Sequence, residues 1–439
     1  MKFIYADSID QIDPGYDFLR DKNAAGRKPY WTDVYAHEYF PTPPYDGVLV
    51  SRGIVGDSRV KGKYSDAHAM RFRREGARAF LRMDTPQLKK LPIYGDCGAF
   101  TYVKEKVPPY SAEEMARFYA DGGFTHGCSV DHIIFGFRPE TKGLNGSEGD
   151  ERERFDITLE NARVFLKASR SIPGFTPLGT VQGWSPDSMA EAAKRLEKMG
   201  YDYLAIGGMV PLSAKDVHLA LRAIRDKLKS STRLHILGFA KAEQIGEFYD
   251  YGIESFDTTS PLYRAFMDAK ANYFVRKRSG GLDYFTAIRV PLATEDPALN
   301  AATLRGSFRQ EEATHAEQSA LDALRSFDAG RMSFAATVKA VMAYQSMFQA
   351  AKAKDSSTLQ RTLATVEERL RRTLEAAPWK SCGCRVCQAA GIDVIIFRSS
   401  NRNKRRGFHN LYVYSQHVAR ISATVHKKKS RHAQEETQI

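Results

Sequence analysis

The sequence predicts an α/β fold: a (β/α)8 TIM barrel with a helical insertion and a small cysteine-bearing C-terminal subdomain. Three observations carry this. Short apolar strands alternate with amphipathic helices across residues 46–260. The stretch 296–378 then turns rich in Ala, Leu, Arg and Glu. Beyond it, three of the five cysteines fall within six residues. About eight strands in some 215 residues fit a closed barrel, and no glycine-rich dinucleotide turn follows the first strand to favour an open doubly wound sheet. The expected organisation is a barrel over residues 1–295, an insertion over 296–378, a basic subdomain over 379–421 and a basic flexible tail over 422–439.

Strands are expected at 47–51, 79–82, 91–94, 128–135, 178–181, 203–206, 234–237 and 254–256, each a short apolar run bounded by polar or turn residues. Helices are expected at 156–170, 186–199, 213–229 and 242–251, where apolar residues recur at three- and four-residue spacing. Ser185-Pro186-Asp187 reads as a cap followed by proline at the first helical position, and Gly200 and Gly252 as stops. Three further helices fit the insertion, at 313–327, 333–353 and 357–376, with ordinary packing faces.

With 43% hydrophobic and 11% aromatic residues, the 439-residue chain can bury a sizeable core, which excludes disorder as its main state. No apolar run approaches the ~18 residues of a membrane span, and the N-terminus MKFIYADSIDQID has no apolar signal core, so a cytoplasmic protein is expected. The formal charge is +13, and +8 of it lies from Arg398 onward, where ten Lys and Arg face only Glu435 and Glu436. Lys427–Arg431 could be a solvated basic tail, but Arg402, Lys404, Arg405 and Arg406, equally dense, lie inside the cysteine–histidine segment and give the footprint expected of contact with a phosphate backbone.

Cys382-Gly-Cys384-Arg-Val-Cys387, followed by His409, offers three thiolates and one imidazole. This is a closed set suited to tetrahedral structural Zn²⁺, with no open position for a reacting water. His417 and His426 are rival fourth ligands; His409 is preferred because it stands where a helix is expected to open. Cys97 and Cys128 stand alone, so a disulfide framework is not expected.

In a barrel, chemistry belongs at the C-terminal ends of the strands. Those ends carry Asp96, Asp131, Gln182, Gly207-Gly208-Met209 and Asp257. Any one aspartate could cap the next helix, but three with a glutamine on one rim exceed what folding needs.

These residues resemble the tRNA-guanine transglycosylases. The resemblance rests on six motifs in order: Asp96-x-Gly-x-Phe100, the post-strand Asp131, Val181-Gln182-Gly183, Ile206-Gly207-Gly208, Phe256-Asp257-x-x-x-Pro261, and Cys382-x-Cys-x-x-Cys387 with His409-Asn410. It covers roughly 47–263 and 382–417 and omits the helical insertion. It implies that Asp257 is the nucleophile at C1′ of a guanosine nucleotide, forming a covalent glycosyl intermediate, and that Asp96 is the general acid/base. It further implies that Asp131, Gln182, Gly207 and Gly208 read the base edge, with Phe100 and Met209 close to the heterocycle. A retaining double displacement needs such a carboxylate pair in two different environments.

Cys97-Gly98-Ala99-Phe100-Thr101 and His132 depart from the tRNA enzymes, and 395–410 is similar to the DNA-acting DpdA-type branch. The expected function is therefore replacement of guanine in DNA by a 7-deazaguanine (preQ0-like) base, with the Arg402–Arg406 block on the DNA backbone. The same chemistry on tRNA is the alternative. So is a catalytically silent nucleic-acid-binding paralogue, which would not need both Asp96 and Asp257. An ATP-dependent DNA-opening partner and a homodimer are the further associations that the resemblance brings into view.

Overall fold

In the computed structural model, which describes residues 1–239 and 242–436, the barrel begins with the first residues of the chain. Strand β1 (Lys2–Ala6) buries Phe3, Ile4 and Tyr5 and pairs in parallel with β2 (Gly47–Ser51) and β8 (Ile253–Thr258). Between these, β3 (Ile93–Asp96), β4 (His126–Cys128), β5 (Thr176–Val181), β6 (Tyr203–Ile206) and β7 (Arg233–Ile236) complete a closed eight-stranded barrel in chain order. Ile4, Leu49, Tyr94, Cys128, Leu178, Tyr203 and Ala205, drawn from successive strands, fill its interior.

Eight strands were expected, but one of them is different. Residues 79–82 form no strand: they close the helical segment Asp66–Phe80, which is broken at Gly76 (φ 77°) and buries Ala69, Phe72, Ala77 and Phe80. Ser65 caps that helix, its hydroxyl accepting from His68 N at 3.3 Å. A four-residue apolar run has too little period to separate a strand from the last turn of a helix, and Phe72 and Phe80, on either side of the break at Gly76, pack edge-on with ring centroids 5.4 Å apart. The strand it displaced is β1. Strand β4 is also shorter than expected. Its pairing ends at Cys128, beyond which Ser129 Oγ accepts from Thr180 N at 2.9 Å, and the chain carries Asp131 onward without a ladder.

Helices flank the strands close to their expected positions, at Glu151–Ser169, Pro186–Met199 and Ala214–Lys227. Ser185 caps the second, with Pro186 at its first position, and left-handed Gly200 ends it. Residues Ala242–Tyr251 wind as 3-10 turns in place of the expected α-helix. No described helix is long and apolar enough to cross a membrane.

The chain divides into two compact units. The barrel unit comprises Met1–Asp10, Tyr45–Thr259 and Val418–Ile439, and the second comprises Gln11–Pro44 and Ser260–His417. The second unit contains an antiparallel hairpin of β9 (Tyr273–Arg276) and β10 (Leu282–Phe285), and a short parallel pair of β11 (Ile288–Arg289) and β12 (Ile396–Phe397). It also holds the helices Gln310–Asp328, Phe334–Ala350 and Ser356–Ala376, the last two capped by Ser333 and Asp355. The C-terminal helix spans Ser400–Glu436, so His409 lies in its third turn and does not open it as expected. The side chains of His426 and of the Lys427–Arg431 cluster lie outside the described residues.

Candidate active site and metal centre

Parallel strands deliver their last residues to one rim, and the barrel unit brings the expected polar set there from β3, β4, β5, β6 and β8. Asp96 is the final residue of β3, directly opposite Ser51 of β2. Its Oδ1 accepts from Gly98 N at 2.8 Å. Gly98 has a left-handed φ of 83°, and a side chain there would run into the backbone of Gly53, so this turn requires glycine. Burial, reinforced by the negative charge of Asp257, raises the Asp96 carboxyl above its ordinary value.

Asp131 is 4% exposed and sits in a closed hydrogen-bond set. Gln182 Nε2 donates to its Oδ2 at 2.6 Å, and the Cys97 thiol donates to its Oδ1 at 3.0 Å. Gln182 is itself fixed, because its Oε1 accepts from Ile134 N at 3.3 Å. Tyr102 donates to Cys97 Sγ at 2.9 Å and to the Asp131 carbonyl at 3.0 Å. Burial pushes the Asp131 carboxyl up to about 6 and the Cys97 thiol well above its usual range, so Cys97 is a donor and not a thiolate nucleophile. The sequence offered no sign of this bridge beyond the adjacency of Cys97 to Asp96.

Gly207 follows β6 and packs against the Gln182 amide: a Cβ there would lie 2.3 Å from Gln182 Nε2. Met209 is buried, whereas Phe100 is 59% exposed beside Phe135, at 48% and 6.1 Å between ring centroids. His132, the residue after Asp131, has a structural task. Its Nε2 lies 2.9 Å from the Glu105 carbonyl and its Nδ1 3.0 Å from Arg154, which also donates to the Ile133 and Val103 carbonyls.

Asp257, 6% exposed on β8, accepts at Oδ1 from Gly238 N at 3.0 Å and faces His235 Nε2 at 3.1 Å. Among the described residues, no hydrogen bond reaches its Oδ2. A lone strand histidine such as His235 reads from sequence most simply as a core or capping residue. Its inward position on β7, alternating with Leu234 and Ile236, was the signal that could have linked it to the carboxylate.

In the second unit, Cys382, Cys384, Cys387 and His409 bring their ligand atoms within 4.8 Å of one another. His409 Nδ1 lies 3.6, 3.4 and 3.3 Å from the three sulfurs. A tetrahedral ion with Zn–S of about 2.3 Å and Zn–N of about 2.05 Å needs an S–N edge of about 3.5 Å, so the four side chains could hold such a metal. His409 Nε2 donates to the Phe274 carbonyl at 2.8 Å, which leaves the Nδ1 lone pair facing the thiols. Tyr273 stacks on that ring at 3.9 Å and reaches Cys387 Sγ at 3.1 Å. Asn410 explains the His-Asn pairing: it accepts from Phe274 N at 2.9 Å and donates to the Asn272 carbonyl at 3.1 Å.

The expected backbone-contacting block requires correction. Arg402 is fully buried, donating to Asp21 at 2.5 Å, to Asp393 at 2.7 Å and to the Phe18 carbonyl. Arg405 donates to the Asp13 and Pro14 carbonyls at 2.6 and 2.8 Å, and Arg406 to the Ala265 carbonyl and Asn403 at 2.6 and 2.7 Å. Guanidiniums committed to internal partners are not available to phosphates. Of the four, Lys404 alone is partly exposed. Sequence reveals the internal pairing of a charge run only when its acidic partners lie nearby, and here Asp13 and Asp21 come from the opposite end of the chain.

Fold and site together define a class: a (β/α)8-barrel protein with a carboxylate-rich C-terminal rim that also carries a Cys3His cluster able to hold a metal ion. No family model matches the chain. It is similar to a DNA-guanine transglycosylase from Salmonella montevideo, 39% identical over 416 residues that span 94% of this chain and 95% of that one. The chain belongs to the DNA-guanine transglycosylase family.

Proposed function

We propose that the protein exchanges guanine in DNA for a 7-deazaguanine base of the preQ0 type through a covalent Asp257–glycosyl intermediate. The observation that carries this reading is the contrast between two rim carboxylates. Asp257 is tethered at Oδ1 with Oδ2 left open, whereas burial and the neighbouring charge favour a proton on Asp96. Replacing a base on an intact sugar–phosphate chain asks for that division, an ionised nucleophile beside a proton carrier.

In the first half-reaction Asp257 Oδ2 forms the bond to C1′ as the C1′–N9 bond breaks, and Asp96 gives its proton to the departing guanine. In the second, Asp96 takes a proton from the incoming base, whose nitrogen attacks C1′ and releases Asp257, with net retention. The Asp131–Gln182 pair suits the donor and acceptor edge of a guanine-like base, with the Gly207-Gly208 backbone beside it. Phe100 offers an exposed ring for a base withdrawn from its stack. Zinc fits the Cys3His set as a structural ion, supplying cross-linking of the segment around Cys382 to the C-terminal helix. Support for DNA as the substrate comes from the family.

The test offers labelled guanine to the purified protein with DNA or bulk tRNA as acceptor. Label entering DNA is expected. Label entering tRNA alone would overturn the substrate, and label entering neither would overturn the activity.

A further inference from the structure

A line of polar side chains runs through the barrel interior and ends on Asp257. His235 is fully buried, with Nε2 3.1 Å from Asp257 Oδ1 and Nδ1 2.5 Å from Ser255 Oγ. Ser255 Oγ lies 2.6 Å from the Tyr203 hydroxyl, which lies 3.3 Å from that of Tyr94. These residues come from β3, β6, β7 and β8. The Tyr94 ring stacks on both His235, at 5.3 Å, and His126, at 4.3 Å, so the imidazole has little freedom to turn.

For a neutral imidazole, donor arithmetic gives the line a direction. A carboxylate has no proton to offer, so the contact at Oδ1 is a hydrogen bond only when Nε2 carries the hydrogen. With Nδ1 as acceptor, Ser255 donates to it, Tyr203 donates to Ser255, and Tyr94 donates to Tyr203. Each hydroxyl then gives its single proton toward Asp257, and hydrogen bonds in series polarise one another. With the proton on Nδ1 alone, a nitrogen lone pair would face a carboxylate oxygen inside a sealed barrel.

We propose that His235, carrying its proton on Nε2 and held there by Ser255, Tyr203 and Tyr94, is a positioning residue that aims the open Oδ2 of Asp257 at the anomeric carbon. This rests on the reading of Asp257 as nucleophile and adds a residue that reading does not contain. Two tethers at one oxygen, from Gly238 N and His235, fix the carboxylate plane; losing one lets it rotate and spoils the line of attack.

The test compares wild type, His235→Phe and His235→Gln in single-turnover reactions on guanine-containing single-stranded DNA, quenched in acid and scored for covalent adduct, with DNA affinity measured alongside. A glutamine amide can place its nitrogen where Nε2 stood and donate; phenylalanine cannot. Loss of a hydrogen bond to a charged group is expected to slow adduct formation about 10- to 100-fold in His235→Phe. DNA affinity is expected to stay within about twofold, and His235→Gln to recover most of the rate. Nitrogen NMR of the wild-type chain is expected to show the His235 proton on Nε2 and an acceptor at Nδ1, which holds the proposal to account even if a variant fails to fold. Unchanged rates in His235→Phe, a glutamine variant as slow as phenylalanine, or a proton on Nδ1 alone would each overturn it. A wild-type chain that forms no adduct sinks the transglycosylase reading, and this inference with it; a wild-type adduct with indifferent variants sinks this inference alone.

Discussion

Asp131 allows a prediction whose size comes from the structure. Its carboxyl is raised from 3.8 to about 6, first by burial and then by the charge of Asp96, while donation from Cys97 and Gln182 works in the opposite direction. A group raised in the folded state contributes stability that is fully present below its unfolded value and lost as pH climbs through its folded value. About two units at 1.36 kcal/mol each make that loss about 3 kcal/mol, spread over the window between pH 4 and pH 6.5. Asp131→Asn removes the titration and keeps the shape. The amide nitrogen will crowd either Gln182 Nε2 or the Cys97 thiol, but that cost does not vary with pH in this window. The stability difference, wild type minus variant, is therefore expected to fall by about 3 kcal/mol between pH 4 and pH 7. Urea unfolding followed by hydrogen exchange in β4 and β5 peptides measures it within the barrel unit. A difference curve that stays flat, or climbs with pH, would show that Asp131 is not a desolvated carboxylate and would undo this description of the buried Asp131–Gln182 pair.

Three other outcomes are expected. Cys384→Ala and His409→Ala should each reduce bound zinc from about one ion per chain to almost none by elemental analysis, while His417→Ala retains it. Arg402→Ala should destabilise the second unit by about 1–3 kcal/mol, because Asp21 and Asp393 each lose one of two guanidinium partners and keep only Arg398 and Arg325; weaker DNA binding at undiminished stability would instead restore a backbone-contacting role. Gly207→Ala should displace the Gln182 amide, which is pinned by Asp131 and Ile134, and weaken binding of the incoming base about tenfold or more, read as KM in the exchange assay.

What could be read from the sequence divides along physical lines. The rim residues were legible because a parallel barrel sends every strand end to one face, so Asp96, Asp131, Gln182 and Asp257 need only lie one or two positions past an apolar run. The Cys3His set was legible because its cysteines are close in sequence and His409 is the preferred fourth candidate there; the structure adds how Phe274 and Asn410 hold that segment. Strand β1 was not legible: five residues at a chain end, with their partner strand forty residues on, carry little periodicity of their own. The Arg402–Arg406 block misled for the opposite reason. Its local composition is that of a basic surface, and only the distant segment from Phe18 to Asp21 turns those cations inward. His235 stayed hidden because a lone histidine on a strand has many structural uses, and only its 3.1 Å approach to Asp257 sets it apart.

The central claim is that Asp257 forms the bond to the nucleotide. The most direct measurement incubates the chain with guanine-containing single-stranded DNA in the absence of incoming base, quenches in acid, digests the protein and maps the nucleotide-bearing peptide by mass spectrometry. The adduct is expected on the peptide carrying Asp257, absent from Asp257→Ala, and reversed by added guanine. An adduct on the Asp96 peptide, or base exchange that persists in Asp257→Ala, would contradict the account.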